Sequence, residues 1–99
     1  MIAPYAHLGQ LSAASKEITD EMMYLVKRSQ TALQEVYKSD GFNIGMNLGR
    51  AAGAGLADHI HIHILPRWSG DTNFMSTIGE TRVLPEDLSL TYQKLKGKI

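Results

Sequence analysis

The chain has no cysteine. That excludes disulfide staples and thiolate metal sites, and it fits a cytoplasmic location. It has no excess charge either, because ten basic residues balance ten acidic ones. Composition therefore makes no electrostatic case for DNA, RNA or an anionic membrane as partner. No apolar run approaches the ~20 residues of a membrane span. The opening Met1-Ile2-Ala3-Pro4 is too short and uncharged for a signal peptide. Repeats, linkers and low-complexity stretches are missing as well. What is there is 99 residues with 43% hydrophobic content, which suits one small globular domain and is too apolar for disorder. A domain of this size buries a modest fraction of its surface, so help from a second subunit is expected.

Histidine is concentrated. Four occur, and three of them alternate with isoleucine in His59-Ile60-His61-Ile62-His63-Ile64. A strand sends successive side chains to opposite faces. The isoleucines then share a core-facing side and the imidazoles share the other. Imidazole changes charge near neutral pH, binds metals and acts as a nucleophile. Two chemical readings follow: three ligands for a zinc ion, or one attacking histidine whose neighbours arrange charge around it. The plain alternative is a polar strand face open to water.

The remaining pattern places this strand. Met1 to Ala3 read as the tail of a strand ended by Pro4, and residues 9–16 as a loop. Thr19 is a candidate helix N-cap, with Asp20 and Glu21 in the first turn. Met22, Val26, Ser29, Leu33 and Val36 recur at helical spacing, widened by Leu25, Ala32 and Tyr37, and Asp40-Gly41 stops the helix. Met22 and Met23 read as core filler. Residues 42–48 alternate as a strand, with Phe42, Ile44, Met46 and Leu48 inward. Residues 49–58 are loop, and the histidine strand ends at Pro66. Two strands joined by so short a loop most simply pair antiparallel, which puts Asn43, Asn47 and the histidines on one face. Residues 67–80 lack periodicity. Pro85 opens a last helix with Leu88, Tyr92 and Leu95 as its stripe and Lys94, Lys96 and Lys98 near its end.

The loop before the histidines favours phosphate over metal. Gly53, Ala54 and Gly55 allow backbone N–H groups to approach an anion, and Asn47 adds an amide donor. The plain alternative for the glycines is a tight turn. A metal site would want more carboxylates, and only Asp58 is near. Arg67 can pair with phosphate or with a carboxylate at a subunit interface. Trp68 reads as packing or interface, and His7 as a lone surface histidine.

The run from His59 to Leu65 resembles the histidine-triad signature, in which three histidines alternate with apolar residues and end on two of them. Its neighbours Phe-Asn-x-Gly-Met-Asn-x-Gly, Gly-x-Gly, Pro-Arg-Trp and Gly-Asp-x-Asn-Phe-Met are similar to bacterial HIT proteins, some of them diadenosine-tetraphosphate phosphorylases, others resembling the fragile-histidine-triad hydrolases. The resemblance implies an α+β fold: an antiparallel sheet with a long helix and a C-terminal helix, usually as a homodimer. It implies His61 as nucleophile on the α-phosphorus, through a nucleotidyl-histidine intermediate. It implies His63 as a ligand to the phosphate or departing group and His59 as an orienting neighbour. Asn47, Gly53, Ala54 and Gly55, with His61 and His63, would hold the phosphate. No cofactor or resident metal is required for this chemistry, although the nucleotide can bring a divalent metal. The expected ligand is a dinucleoside polyphosphate or nucleotide conjugate, leaving an AMP-type product.

The same comparison implies that residues 1–99 form a single but partial HIT domain, lacking the amino-terminal strands and a further histidine. Four functions stay open: a hydrolase, a phosphorylase, a non-catalytic nucleotide- or phosphate-binding fragment, and a zinc enzyme.

Overall fold

The computed structural model describes residues 1–54, 59–71 and 88–99. Helix α1 spans Lys16–Tyr37. It begins before the expected Thr19, because Ser15 is the cap: its Oγ accepts from Ile18 N at 3.2 Å. Thr19 sits inside the first turn, its hydroxyl directed back to the carbonyls of Ser15 and Lys16. The end also falls earlier than Asp40-Gly41. Lys38 takes the left-handed conformation at φ 52° and closes the helix onto Gln34 O. Residues 11–13 of the expected loop form one 3₁₀ turn. The predicted stripe is the buried face: Met22, Val26, Ser29, Ala32 and Leu33 are all buried. Met23 is not core filler; it is half exposed.

Strands β1 (Gly41–Gly45) and β2 (His63–Arg67) pair antiparallel, as the short connection predicts. Their register sets Asn43 against Leu65 and Gly45 against His63. Both strands depart from the expected bounds. β1 stops at Gly45, and β2 runs through Pro66 to Arg67. The histidine run divides between two partners. Its second half joins β1. Its first half pairs with the amino-terminal segment, through a bridge between Ile2 and Ile62 (2.9 and 2.7 Å) and through Ile60 N to Leu8 O (2.7 Å). Polar groups of successive strand residues point to alternate edges. Arg67 O accepts from Asp40 N on the β1 side. Ile60 and Ile62, of the other parity, therefore face the opposite edge, and the histidine run is flanked on both sides.

The isoleucine face packs on α1. Ile60 and Ile62 are buried, and Met22, Val26 and Ile62 form a cluster joined by Ile2, Ile18, Met46 and Ile64. Expectation fails for two residues here: Ile44 is 45% exposed and Leu48 40%. Ile44 instead borders a hollow of about 840 Å³ between β1 and α1, with Phe42, Gln30 and Gln34. Helix α2 (Leu88–Leu95) lies against α1. Lys98 Nζ pairs with Glu35 at 2.6 Å, and Lys94 Nζ stands 5.5 Å from the centre of the Tyr37 ring. Tyr92 is exposed rather than part of a buried stripe. The expected start at Pro85 lies outside the described residues. No helix among the described residues is long and apolar enough to cross a membrane.

Candidate active site

Extended backbone and flanking segments fix the three imidazoles differently. His59 Nε2 lies 2.8 Å from Pro4 O, so that nitrogen carries the proton and donates it. His7, read from sequence as a lone surface histidine, comes to 5.1 Å from His59 between ring centres. The Pro4-Tyr5 turn brings it there, a placement no local pattern announces. His61 Nδ1 faces His59 O at 3.4 Å. Among the described residues a proton on Nδ1 finds only that carbonyl as acceptor, which leaves the Nε2 lone pair free. His63 meets His61 edge-on, ring centres 4.6 Å apart.

Electrostatics follow from burial. His63 Nε2 is buried and has no hydrogen-bond partner among the described residues. Its pKa is pushed below the ordinary histidine value, first by burial, then by the neighbouring His61 and the amino terminus. Two adjacent imidazoles thereby avoid carrying charge together. No group of three or more His, Cys, Asp or Glu side chains is arranged to hold a metal among the described residues.

Past β1 the chain turns through Gly49, at φ 82°, and Gly53, at φ 91°, with a 3₁₀ turn between them. Only glycine adopts these angles without strain. A Cβ on Gly53 would lie 3.8 Å from Asn47 Nδ2, so the loop closes back on the Asn47 amide. The N–H groups of Gly53 and Ala54 are used inside the turn, bonded to Arg50 O (2.9 Å) and Gly49 O (3.1 Å). Asn47 keeps its amide unengaged among the described residues. Gly55 lies outside them.

Arg67 takes the carboxylate alternative, within its own chain. Its guanidinium grips Asp71 through Nε (2.9 Å) and Nη2 (2.6 Å), and Nη1 donates to Asn43 Oδ1 at 2.6 Å. That donation, with Trp68 N as second donor, lowers the Asp71 pKa. Asn43 lies on the histidine side of the sheet as expected, but its carbonyl oxygen is bound to Arg67. Trp68 packs: its indole N–H donates to Tyr37 O at 3.3 Å.

Comparison with known proteins agrees with this geometry. The chain is 37% identical over 95 residues to AP-4-A phosphorylase of Mycobacterium tuberculosis, an alignment that covers 96% of this chain and 49% of that protein. An uncharacterized HIT-like protein of Saccharolobus solfataricus is 29% identical over 75 residues, 76% of this chain and 53% of that one. The chain thus spans about half the length of the curated relatives it matches. Among solved structures, a zinc-bound histidine triad family protein from Mycobacterium smegmatis superposes with a TM-score of 0.74 at 30% identity, covering 96% of this chain and 63% of that one. The NitFhit protein of C. elegans shares the fold, with a TM-score of 0.68 at 24% identity over 94% of this chain and 21% of that one. Residues 1–70 match the HIT domain, and with the sheet, helix and histidine row in place the chain belongs to the HIT family.

Proposed function

We propose that this chain hydrolyses dinucleoside polyphosphates or nucleotide conjugates at the α-phosphate, with His61 as the nucleophile. One observation carries the reading: His61 Nδ1 faces the His59 carbonyl, so the opposite nitrogen is the one left to attack. The Nε2 lone pair forms a bond to the α-phosphorus. The bond from phosphorus to the leaving oxygen breaks, and that oxygen takes the electron pair. The imidazole is then positive, and its Nδ1 proton rests on a carbonyl that stabilises the charge. A water then attacks phosphorus and gives up a proton to solvent, the P–N bond breaks, the electron pair returns to Nε2, and AMP leaves. His63, kept neutral by burial, serves as a hydrogen-bond donor to the phosphate or departing group. His59, tied to Pro4, orients its neighbours. Asn47, at the mouth of the glycine loop, supplies an amide to phosphate oxygens. Gly53 and Ala54 shape the loop that receives them. The histidine chemistry needs no metal of its own, and a divalent ion can enter on the nucleotide.

The second reading is phosphorolysis, favoured by the 37% identity to an AP-4-A phosphorylase. Phosphate would then replace water as the acceptor, and the nucleoside monophosphate would leave as a diphosphate. A third, a nucleotide-binding role without turnover, is motivated by the half-length match. We further propose a homodimer, supported by the free outer edge of β1 among the described residues.

The deciding experiment is mass spectrometry of the 99-residue chain after brief exposure to diadenosine tetraphosphate. An AMP adduct on His61, absent from His61→Ala, is expected, with AMP released in phosphate-free buffer. ADP appearing only when phosphate is added would establish the second reading. No adduct and no product from folded protein would leave binding alone. Turnover retained by His61→Ala would overturn the nucleophile.

A further inference from the structure

The turn after Asn47 carries a cation that no described residue neutralises. Gly45, the last residue of β1, stands opposite His63 in the ladder, and Asn47 follows two residues beyond it. Three residues on comes Arg50, at most three Cα steps or about 11 Å away. Its backbone is fixed. Gly49 O accepts from both Ala52 N and Ala54 N at 3.1 Å, Gly53 N closes onto Arg50 O at 2.9 Å, and the returning Gly53 rests against the Asn47 amide. Its side chain is different: exposed, and without a hydrogen bond or ion pair among the described residues. Residues 41–57 contain no acidic residue that could claim it. Arg67, the other arginine near the strand pair, is occupied by Asp71 and Asn43.

A guanidinium on a turn that closes back on the Asn47 amide is placed for anions. Its planar fork matches two oxygens of a phosphate, and no carboxylate of a described residue must be displaced first. The α-phosphate belongs to His61. What Arg50 can reach is the chain of phosphates that continues from it. We propose that Arg50 contacts the phosphates beyond the α-phosphate and so selects polyphosphate leaving groups over short or uncharged ones. This deepens the reading of His61 as the α-phosphate site and rests on it.

Binding separates the two ideas, because it does not require turnover. Calorimetry would compare AMP with a methylene-bridged, non-hydrolysable analogue of diadenosine tetraphosphate, on wild type and Arg50→Gln. The exposed side chain makes this variant unlike a core mutation, and it should fold. The analogue should bind Arg50→Gln about tenfold more weakly, as expected for one lost charge-assisted contact, while AMP changes less than about twofold. Equal weakening of both ligands, no weakening of either, or no binding of either to wild type overturns the proposal. Selective weakening in a protein that forms no His61 adduct would keep the Arg50 contact and discard the catalytic reading. An adduct with unselective weakening would do the reverse.

Discussion

At the residue scale, hydrogen bonds and burial keep protons in particular places. His59 spends its Nε2 proton on Pro4 O, and the His59 carbonyl in turn faces His61 Nδ1. His63 resists protonation because burial disfavours its charged form. The sign of the consequence is fixed. With its folded pKa below the unfolded value of about 6.5, His63 leaves the unfolded chain binding more protons in acid. Its contribution to stability is therefore present above that value and is lost as pH falls toward the folded pKa. Urea unfolding between about pH 8 and about pH 5 should show wild type losing more stability than His63→Gln. Equal losses would mean that His63 is not the group responsible. The three imidazoles were legible from spacing alone. The tautomers of His59 and His61 were not, because those depend on carbonyls set beside them by the folded backbone.

Elements are where local rules succeeded and slipped. The buried face of α1 follows the 3.6-residue spacing of Met22, Val26, Ser29 and Leu33. Its ends do not follow the most obvious signals. Ser15 outcompetes Thr19 because its oxygen can reach Ile18 N. Lys38 occupies a left-handed position that glycine normally fills, although Gly41 stands three residues further on. A non-glycine residue there is strained. Lys38→Gly should raise stability by about 0.5–1 kcal/mol, seen as a higher denaturant midpoint with unchanged slope; a lower midpoint would show that the Lys38 side chain matters more than its backbone. The strands show a different limit. Period-2 alternation marks which side chains share a face, but it does not say where one partner ends and another begins. Hence the histidine run changes partner between Ile62 and His63 without any break in its pattern.

For the whole molecule, the unsatisfied feature is the outer side of β1. Its edge pairs with no described residue, Ile44 is 45% exposed on the face that should be inward, and a hollow of about 840 Å³ opens beside it. Exposed strand edges invite pairing with another chain. The proposed homodimer would use this side. Light scattering should then give a dimer mass for wild type and a shift toward monomer for Ile44→Lys, which places a charge in the contact. A monomeric wild type at micromolar concentration would remove the dimer from the account. The sequence by itself determined the apolar face of the long helix and the row of imidazoles, because each rests on periodicity within one segment; the antiparallel pairing followed from the short connection, and the α+β class from the resemblance to the histidine-triad signature. Only the tertiary structure decided that His7 and Pro4 close on His59, that Arg67 binds Asn43 as well as Asp71 while Arg50 meets no partner among the described residues, and that Ile44 is left half exposed. Apart from the local Arg67–Asp71 pair, these contacts join residues far apart in the chain, and which partner wins depends on distances that exist only after the segments have packed.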